Sequence, residues 1–491
     1  MDDLLSKLHS FPPSPPPRVP LSDQQYDEGI RGQIEAVKKI SEAKLLQPTP
    51  GGENMLEVID PAFNTVPYAV CLVANIQATN KSNAKGVDMD NLYAKMIEFL
   101  GVFDARQIRY LGDELSYIIK SVADIARGSR QPHLAVQPIR NAILRLDPSG
   151  SMLTANHINL VKLAMESRSY QDAAPVLQKF ILYVPGYSAL PKPKYLCDMS
   201  LSPAAFITPA TKLNSKLKYQ DILEYFLYSG EVHIALNDWE NAFHCLESAV
   251  TYPTKDSSPS KIMVDAYKKW VLVGILKEGQ LLPLPKSTSP GPSKNYHILA
   301  KPYETIAQIF ENGTASRLKS EADAGATWWR NDGNTGLILE VMAAWQRFQI
   351  RDLATVYSKI SIPEIVSQTT SAETGYKLPT AQLGEALVQN MIQRGDINAT
   401  LSHPPTGPAI LTFSPSGAAL TERQMQSELA ASTSRIQDLT KEIKQTDRII
   451  THDKEYIKYM QKMKKTKVGN SEPPEGQWND ITEDEDIMAM Y

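Results

Sequence analysis

The 491 residues carry 51 basic and 55 acidic side chains, for a net charge of -4. That length allows two or more cores, and the near-neutral balance supplies no general field to gather nucleic acid or a membrane surface. The cysteines Cys71, Cys197 and Cys245 are odd in number and widely spaced, which points to buried thiols in a reducing compartment, cytoplasmic or nuclear, and away from a disulfide framework.

The opening stretch "MDDLLSKLHSFPPSPPPRVP" has acids where a secretory leader needs bases and prolines where it needs an apolar run. Residues 1–20 are therefore expected to form a disordered tail. No apolar run approaches the ~18 residues of a membrane span. From about residue 24 the pattern is helical, and helical repeats are expected over 21–348. In "FDARQIRYLGDELSYIIKSVADIA", Asp104 and Gln107 form a capping-box pattern. Ile108, Leu111, Leu115, Ile118, Val122 and Ile125 then predict one amphipathic helix.

Two later stretches share a spacing. In "GEVHIALNDWENAFHCLESAV", Trp239, Ala242, Leu246 and Ala249 follow Gly230; in "MESRSYQDAAPVLQKF", Tyr170, Ala173 and Leu177 repeat the Trp239, Ala242, Leu246 interval. Small residues let antiparallel helices approach, with the leucine filling the groove between them, as in tetratricopeptide-like units. A strongly apolar helix, "IMVDAYKKWVLVGILKEG", follows. Residues 184–216 and 282–294, rich in Pro, Ser and Lys, read as inserted loops. Trp328 and Trp329 are expected to pack between repeats and the next domain.

Beyond residue 349 the pattern changes. Helices over "RDLATVYSKISIPEIVSQT" and "TAQLGEALVQNMIQRG" lead to two short apolar runs, with Ile397, Ala399 and Leu401 in one and Thr412 and Phe413 in the other. Helices followed by a β-hairpin predict a winged helix over 349–415. Its recognition helix offers Arg394 against Glu385, too little charge for a nucleic-acid role. Residues 418–466 read as one long helix whose seam is Met425, Leu429, Ile436, Leu439, Ile443, Ile450, Ile457 and Met460, interrupted by Ser432, Thr446 and Asp453. A seam that regular requires partner helices. Residues 467–491 are acidic and expected to be disordered. Lys458, Lys462, Lys464, Lys465 and Lys467 read as a solvated helix end, with an import signal as the alternative.

The fold expected is mainly α: a right-handed, tetratricopeptide-like solenoid, then a winged helix, then a long C-terminal helix. The eight histidines form no H-x-H or H-E-x-x-H pair, and no phosphate loop, dinucleotide fingerprint or nucleophile elbow is present. No catalytic, cofactor-binding or metal residue is expected.

Over residues 90–465 this order, with "IMVDAYKKWVLVGILKEGQL", "LTANHINLVKLAMESRSYQDAAPVL" and "LVQNMIQRGDINATL", resembles the PCI-domain family. Its members are scaffold subunits of the proteasome lid, the COP9 signalosome and eukaryotic initiation factor three; the signalosome branch is the most similar. The resemblance implies a PCI domain over about 215–415 and no enzymatic activity of the chain itself. It implies other PCI subunits and metalloprotease-type subunits as partners, and an indirect link to cullin-RING ligases through removal of Nedd8. A lid subunit or a nucleic-acid-associated adaptor is the alternative. Ile397, Ala399, Leu401, Thr412 and Phe413 would then lie at an edge-to-edge contact between winged helices.

Overall fold

A side chain placed on Gly230 would put its Cβ 2.8 Å from Leu246, so two helices here approach to the limit of a hydrogen atom's width of side chain. They are one pair in a succession. In a computed structural model the described residues are 2–13, 21–49, 51–81, 89–185, 193–254, 258–405, 407–414, 422–452, 456–458 and 461. Residues 1–413 and 414–491 form separate compact units.

The first unit begins with α1 (Asp2–Leu8), α2 (Asp23–Lys38), α3 (Glu42–Leu45), α4 (Met55–Val58), α5 (Thr65–Lys81) and α6 (Met89–Val102). Then come α7 (Ala105–Ile108), α8 (Gly112–Gly128), α9 (His133–Leu146), α10 (Ala155–Ser167), α11 (Tyr170–Leu177) and α12 (Pro203–Phe206). The second half of the repeats is α13 (Tyr219–Ala235), α14 (Trp239–Val250), α15 (Lys261–Glu278), α16 (Pro290–Leu299), α17 (Lys301–Asn312), α18 (Ala315–Ala324), α19 (Ala326–Asn331) and α20 (Thr335–Leu353). A winged helix follows: β1 (Lys359–Ser361), α21 (Ile362–Gln368), α22 (Ala381–Arg394), β2 (Ala399–Ser402) and β3 (Ile410–Phe413), with sheet order β1-β3-β2. The second unit contains α23 (Glu422–His452).

The two hairpins matched by spacing also match in backbone. Arg168 and Asn237, each two residues before the aromatic that opens the second helix, are left-handed, with φ of 57° at both. The following amide reaches back five residues in each, Ser169 to Ala164 and Asp238 to His233. That closes the helix end in the manner of a Schellman turn. Ala173, Leu177, Ala242, Leu246 and Ala249 are all buried.

Several expectations fail. The first residues are not a tail: α1 docks through fully buried Leu8, and Phe11 lies edge-on to Tyr26 with centroids 5.0 Å apart. Gln33 donates to the carbonyls of Leu8 (3.0 Å) and Phe11 (2.6 Å). The proline content hid an apolar set, Leu4, Leu5, Leu8 and Phe11, large enough to dock a helix of about two turns. Residues 14–20 lie outside the described residues. The helix expected from Asp104 is broken at Arg109–Leu111. Asp104 does cap α7, accepting from Arg106 N at 2.9 Å, but Gln107 bonds away from the cap, to Val66 N and Phe63 O.

The cause of the break is the supposed loop at 184–216. Its described part runs as a strap across α7 and α8, with Cys197, Phe206 and Leu213 buried. A Cβ on Gly112 would lie 2.2 Å from the Thr211 carbonyl oxygen, so only glycine admits this crossing. Arg109, 4% exposed, donates to the carbonyls of Leu196 and Asp198 and lies over the Phe206 ring. Arg106 donates to the Cys197 carbonyl and pairs with Asp23. The 282–294 stretch likewise supplies the first turn of α16. Trp329 packs within the repeats, at 4.8 Å from Tyr303 and donating to the Ala322 carbonyl, while Trp328 is exposed.

Glycine positions give a differential test of the packing. Gly230→Ala should lower stability by about 1–3 kcal/mol through overpacking. Gly101→Ala, in α6 with nothing within 4 Å of its Cβ, should raise it by roughly 0.5–1 kcal/mol. Denaturant melts of the two variants check the contrast; equal shifts would refute the tight contact.

His157 supplies a pH test. It is buried and its Nδ1 accepts from the Thr154 amide at 3.3 Å, and burial pushes its pKa down to about 4. The folded state therefore resists protonation while the unfolded chain accepts a proton near ~6.5. Stability is unaffected above that value and falls as pH drops from ~6.5 to ~4, by up to about 3 kcal/mol. His157→Gln, which retains an acceptor for Thr154, should flatten melting temperature against pH in that window.

Candidate subunit interface

Hydrogen-bond direction along the three-stranded sheet, whose edge strands are β1 and β2, shows which backbone groups of β2 face away from it. Phe413 N donates to Ser358 O at 3.0 Å and Ile362 N to Ala409 O at 2.9 Å. With Lys359 opposite Thr412 and Ser361 opposite Ile410, Phe413, Leu411 and Ala409 turn their backbone groups toward β1. Alternation then turns those of Thr412 and Ile410 toward β2, opposite Thr400 and Ser402. The amides and carbonyls of Ala399 and Leu401 therefore point outward, along the free edge of β2.

This divides the residues expected at the interface. Thr412 and Phe413 lie on the central strand, paired on both sides, and are not at an edge. Strand β1 was missed, because three residues are too few for a visible alternation, although Ile360 and Ile362 in "SKISIP" carry it. The side chains of Ile397 and Phe413 are buried, and with partly buried Ala399 and Leu401 they join Ile360, Ile365, Val388, Met391 and Leu411 in the winged-helix core. Only the backbone of Ala399 and Leu401 is available to a neighbour. On the recognition helix α22, Leu383 is exposed, and Glu385 is engaged by His403 at 2.8 Å.

The second unit bears the other candidate surface. On α23, Met425, Leu429, Ile436, Leu439 and Ile443 are 49%, 66%, 64%, 43% and 59% exposed, and Ile457 beyond it is exposed too. The side chains of Ile450 and Met460, the residue Asp453, and Lys462, Lys464, Lys465 and Lys467 lie outside the described residues, as does the acidic stretch.

Among the described residues no group of three or more His, Cys, Asp or Glu could hold a metal ion, and no helix is long and apolar enough to cross a membrane. The three cysteines are free and buried, and burial pushes the thiols of Cys71 and Cys245 up to about 12, far from a reactive thiolate. His233 is fully buried at 3.2 Å from Asp238, and His244 packs edge-on to Phe180, its pKa lowered by burial. His233 is a core residue of the hairpin, and His244 lies on its surface.

Helical repeats followed by a winged helix, with β1 and β2 at its two sheet edges, make up the architecture that the PCI-domain resemblance implied. A family model described as COP9 signalosome complex subunit 3, N-terminal helical repeats, matches residues 31–291. A Neurospora crassa protein named COP9 signalosome complex subunit 3 is 34% identical over 462 residues, 94% of this chain and 91% of that one. An Emericella nidulans protein of the same name is 34% identical over 411 residues, 82% and 81% of the two chains. One from Dictyostelium discoideum is 24% identical over 416 residues, 84% and 89%. The chain belongs to the COP9 signalosome subunit 3 family.

If the β2 edge is used, Ala399→Pro removes an outward amide and leaves the β2–β3 ladder whole. That variant should stay folded and lose its winged-helix neighbour in a pull-down, whereas Thr412→Pro should unfold the winged helix itself. Full retention of neighbours by Ala399→Pro would exclude pairing along this edge.

Proposed function

We propose that this chain is a non-catalytic scaffold subunit of a COP9 signalosome, supporting removal of Nedd8 from cullin-RING ligases by the assembled complex. Its repeats form an arm, the β2 edge joins a neighbouring PCI subunit, and the seam of α23 enters a bundle with equivalent helices. The metalloprotease-type subunits supply the chemistry, in the cytosol and nucleus. The observation that carries this reading is the apolar seam of α23. Each large side chain left in water forgoes roughly 1.5–3 kcal/mol of burial, and a helix of 31 residues spans ~46 Å at ~1.5 Å per residue. Such a stripe is stable only as half of a contact.

Replacing Ile436, Leu439 and Ile443 together with Ser should leave the melting curve of the isolated chain unchanged, since all three are already exposed, yet release it from the complex on gel filtration of co-expressed subunits. Assembly at the wild-type level would refute the bundle. The purified chain should also leave a neddylated cullin uncut, with or without zinc; cleavage that co-purifies with this chain alone would overturn the scaffold reading.

A further inference from the structure

Seven Ser-Pro or Thr-Pro pairs occur in the sequence, and the fold treats them differently. Thr49 is 9% exposed, and its Oγ1 accepts from the Glu53 amide at 3.2 Å. The Ser202 Oγ is buried, and the Thr208 Oγ1 accepts from the Thr211 amide at 3.2 Å. Ser289 is partly buried as the N-cap of α16. Ser14 lies outside the described residues, as does the proline that follows Ser414. The pair at Ser258 is exposed, and it has Lys261 three residues on. At that third position the other six pairs have Pro17, Gly52, Ala205, Thr211, Pro292 and Gly417.

The backbone presents Ser258 in the extended form that a kinase groove takes. Pro259 disfavours helical geometry at the residue before it, which keeps Ser258 out of α15. Ser260, the N-cap of that helix, is extended too, with φ −71° and ψ 160°. Its Oγ accepts from the Met263 amide at 3.3 Å, and Lys261, the first helical residue, is exposed. The surroundings also suit an added anion. Tyr219 Oη lies 3.2 Å from Met263 Sδ, so the N-terminal ends of α13 and α15 lie side by side. A helix N-terminus is partly positive, and the first turn of α15 holds no acid. Lys218, the N-cap of α13, is exposed at the same end.

We infer that Ser258 is a phosphorylation site for a proline-directed serine/threonine protein kinase. Such a kinase gives the residue after its target no acceptor for a backbone N–H, so proline, which has none, is preferred there. Lys261 supplies the positive charge that pairs with an anionic group of the kinase. In the transfer, Ser258 Oγ bonds to the γ-phosphorus of ATP as the bond to the β–γ bridging oxygen breaks, releasing ADP. The hydroxyl proton passes to the catalytic aspartate of the kinase. The product places about −1.5 to −2 charges on the turn between α14 and α15. That turn belongs to neither the β2 edge nor α23, so the switch is a separate one.

The test uses the full folded chain, ATP and a purified cyclin-dependent kinase, with phosphate located by fragmentation of proteolytic peptides. Ser258 should take up phosphate at least ~10-fold faster than Ser202, Thr208 or Ser289. Pro259→Ala and Lys261→Gln both keep the serine, and each should slow its modification by roughly 10-fold. Melting curves of the two variants, matching that of the unaltered chain, establish that the slowing is not unfolding. An unmodified Ser258, faster modification of one of the covered pairs, or a rate unchanged by either substitution would each overturn the site.

Discussion

A helical hairpin has two apolar faces and can cover only one of them with itself, so every hairpin in a repeat array depends on the next. In this chain the dependence concentrates on α13. Its Ile222, Tyr225 and Val232 belong to the core of the N-terminal half, while Leu223 and Leu227 belong to the core of the half that follows. The helix is buried on two sides, and its close fit to α14 at Gly230 and Leu246 fixes the distance between the two cores. Next along, α15 is covered almost all round, with Tyr267 stacked on Trp270 and Tyr296. The array then hands over through α20, whose Leu337 and Trp345 lie in the repeat core and whose Ile350 lies in the core of the winged helix. Gln346 and Gln349 reinforce that handover by bonding to Thr369 and Thr370.

The strap meets the same constraint at the other end. Between α11 and α13 the chain must return across α7 and α8, and a polar segment laid over apolar helices carries carbonyls that need donors. Arg106 and Arg109 supply them from the short helix beneath, and Asn214 closes the crossing by bonding to Leu153 and Ala155. Two carbonyls and the Phe206 face replace part of the water around the Arg109 guanidinium, whose buried Nε has no partner.

What was legible in the sequence follows from these contacts. Hairpin spacing at Ala173, Leu177, Ala242 and Leu246 was readable because a close helix–helix approach restricts residue size at a fixed interval. The winged helix was readable from its two apolar runs, although strand order was not: register alternation decides it, and β1 is too short to show a period. Strap and N-terminal helix were hidden for one reason. Both are segments of turn-forming composition held by long-range bonds, Arg109 to Leu196 across 87 residues and Gln33 to Leu8 across 25, and local pattern carries no trace of a distant partner. Of the residues expected at an interface, the periodic positions of α23 described here lie exposed, while on β2 it is the backbone groups of Ala399 and Leu401 that face outward.

That arrangement bears on how an assembly subunit can keep its contacts specific. A backbone edge offers the same donors and acceptors to any strand, and an apolar helix seam accepts many helices of similar period. Neither surface alone chooses a neighbour. If both surfaces act as proposed, polar positions on the seam, such as Thr446, and the presence of edge and seam on one chain would do the selecting, since a partner would have to satisfy both. Simultaneous engagement multiplies affinity through effective concentration, so each surface can stay weak enough to remain soluble in the free chain. Under the proposed function, the exposed isoleucines of α23 and the four-residue edge of β2 would each be a modest contact that selects a neighbour only in combination with the other.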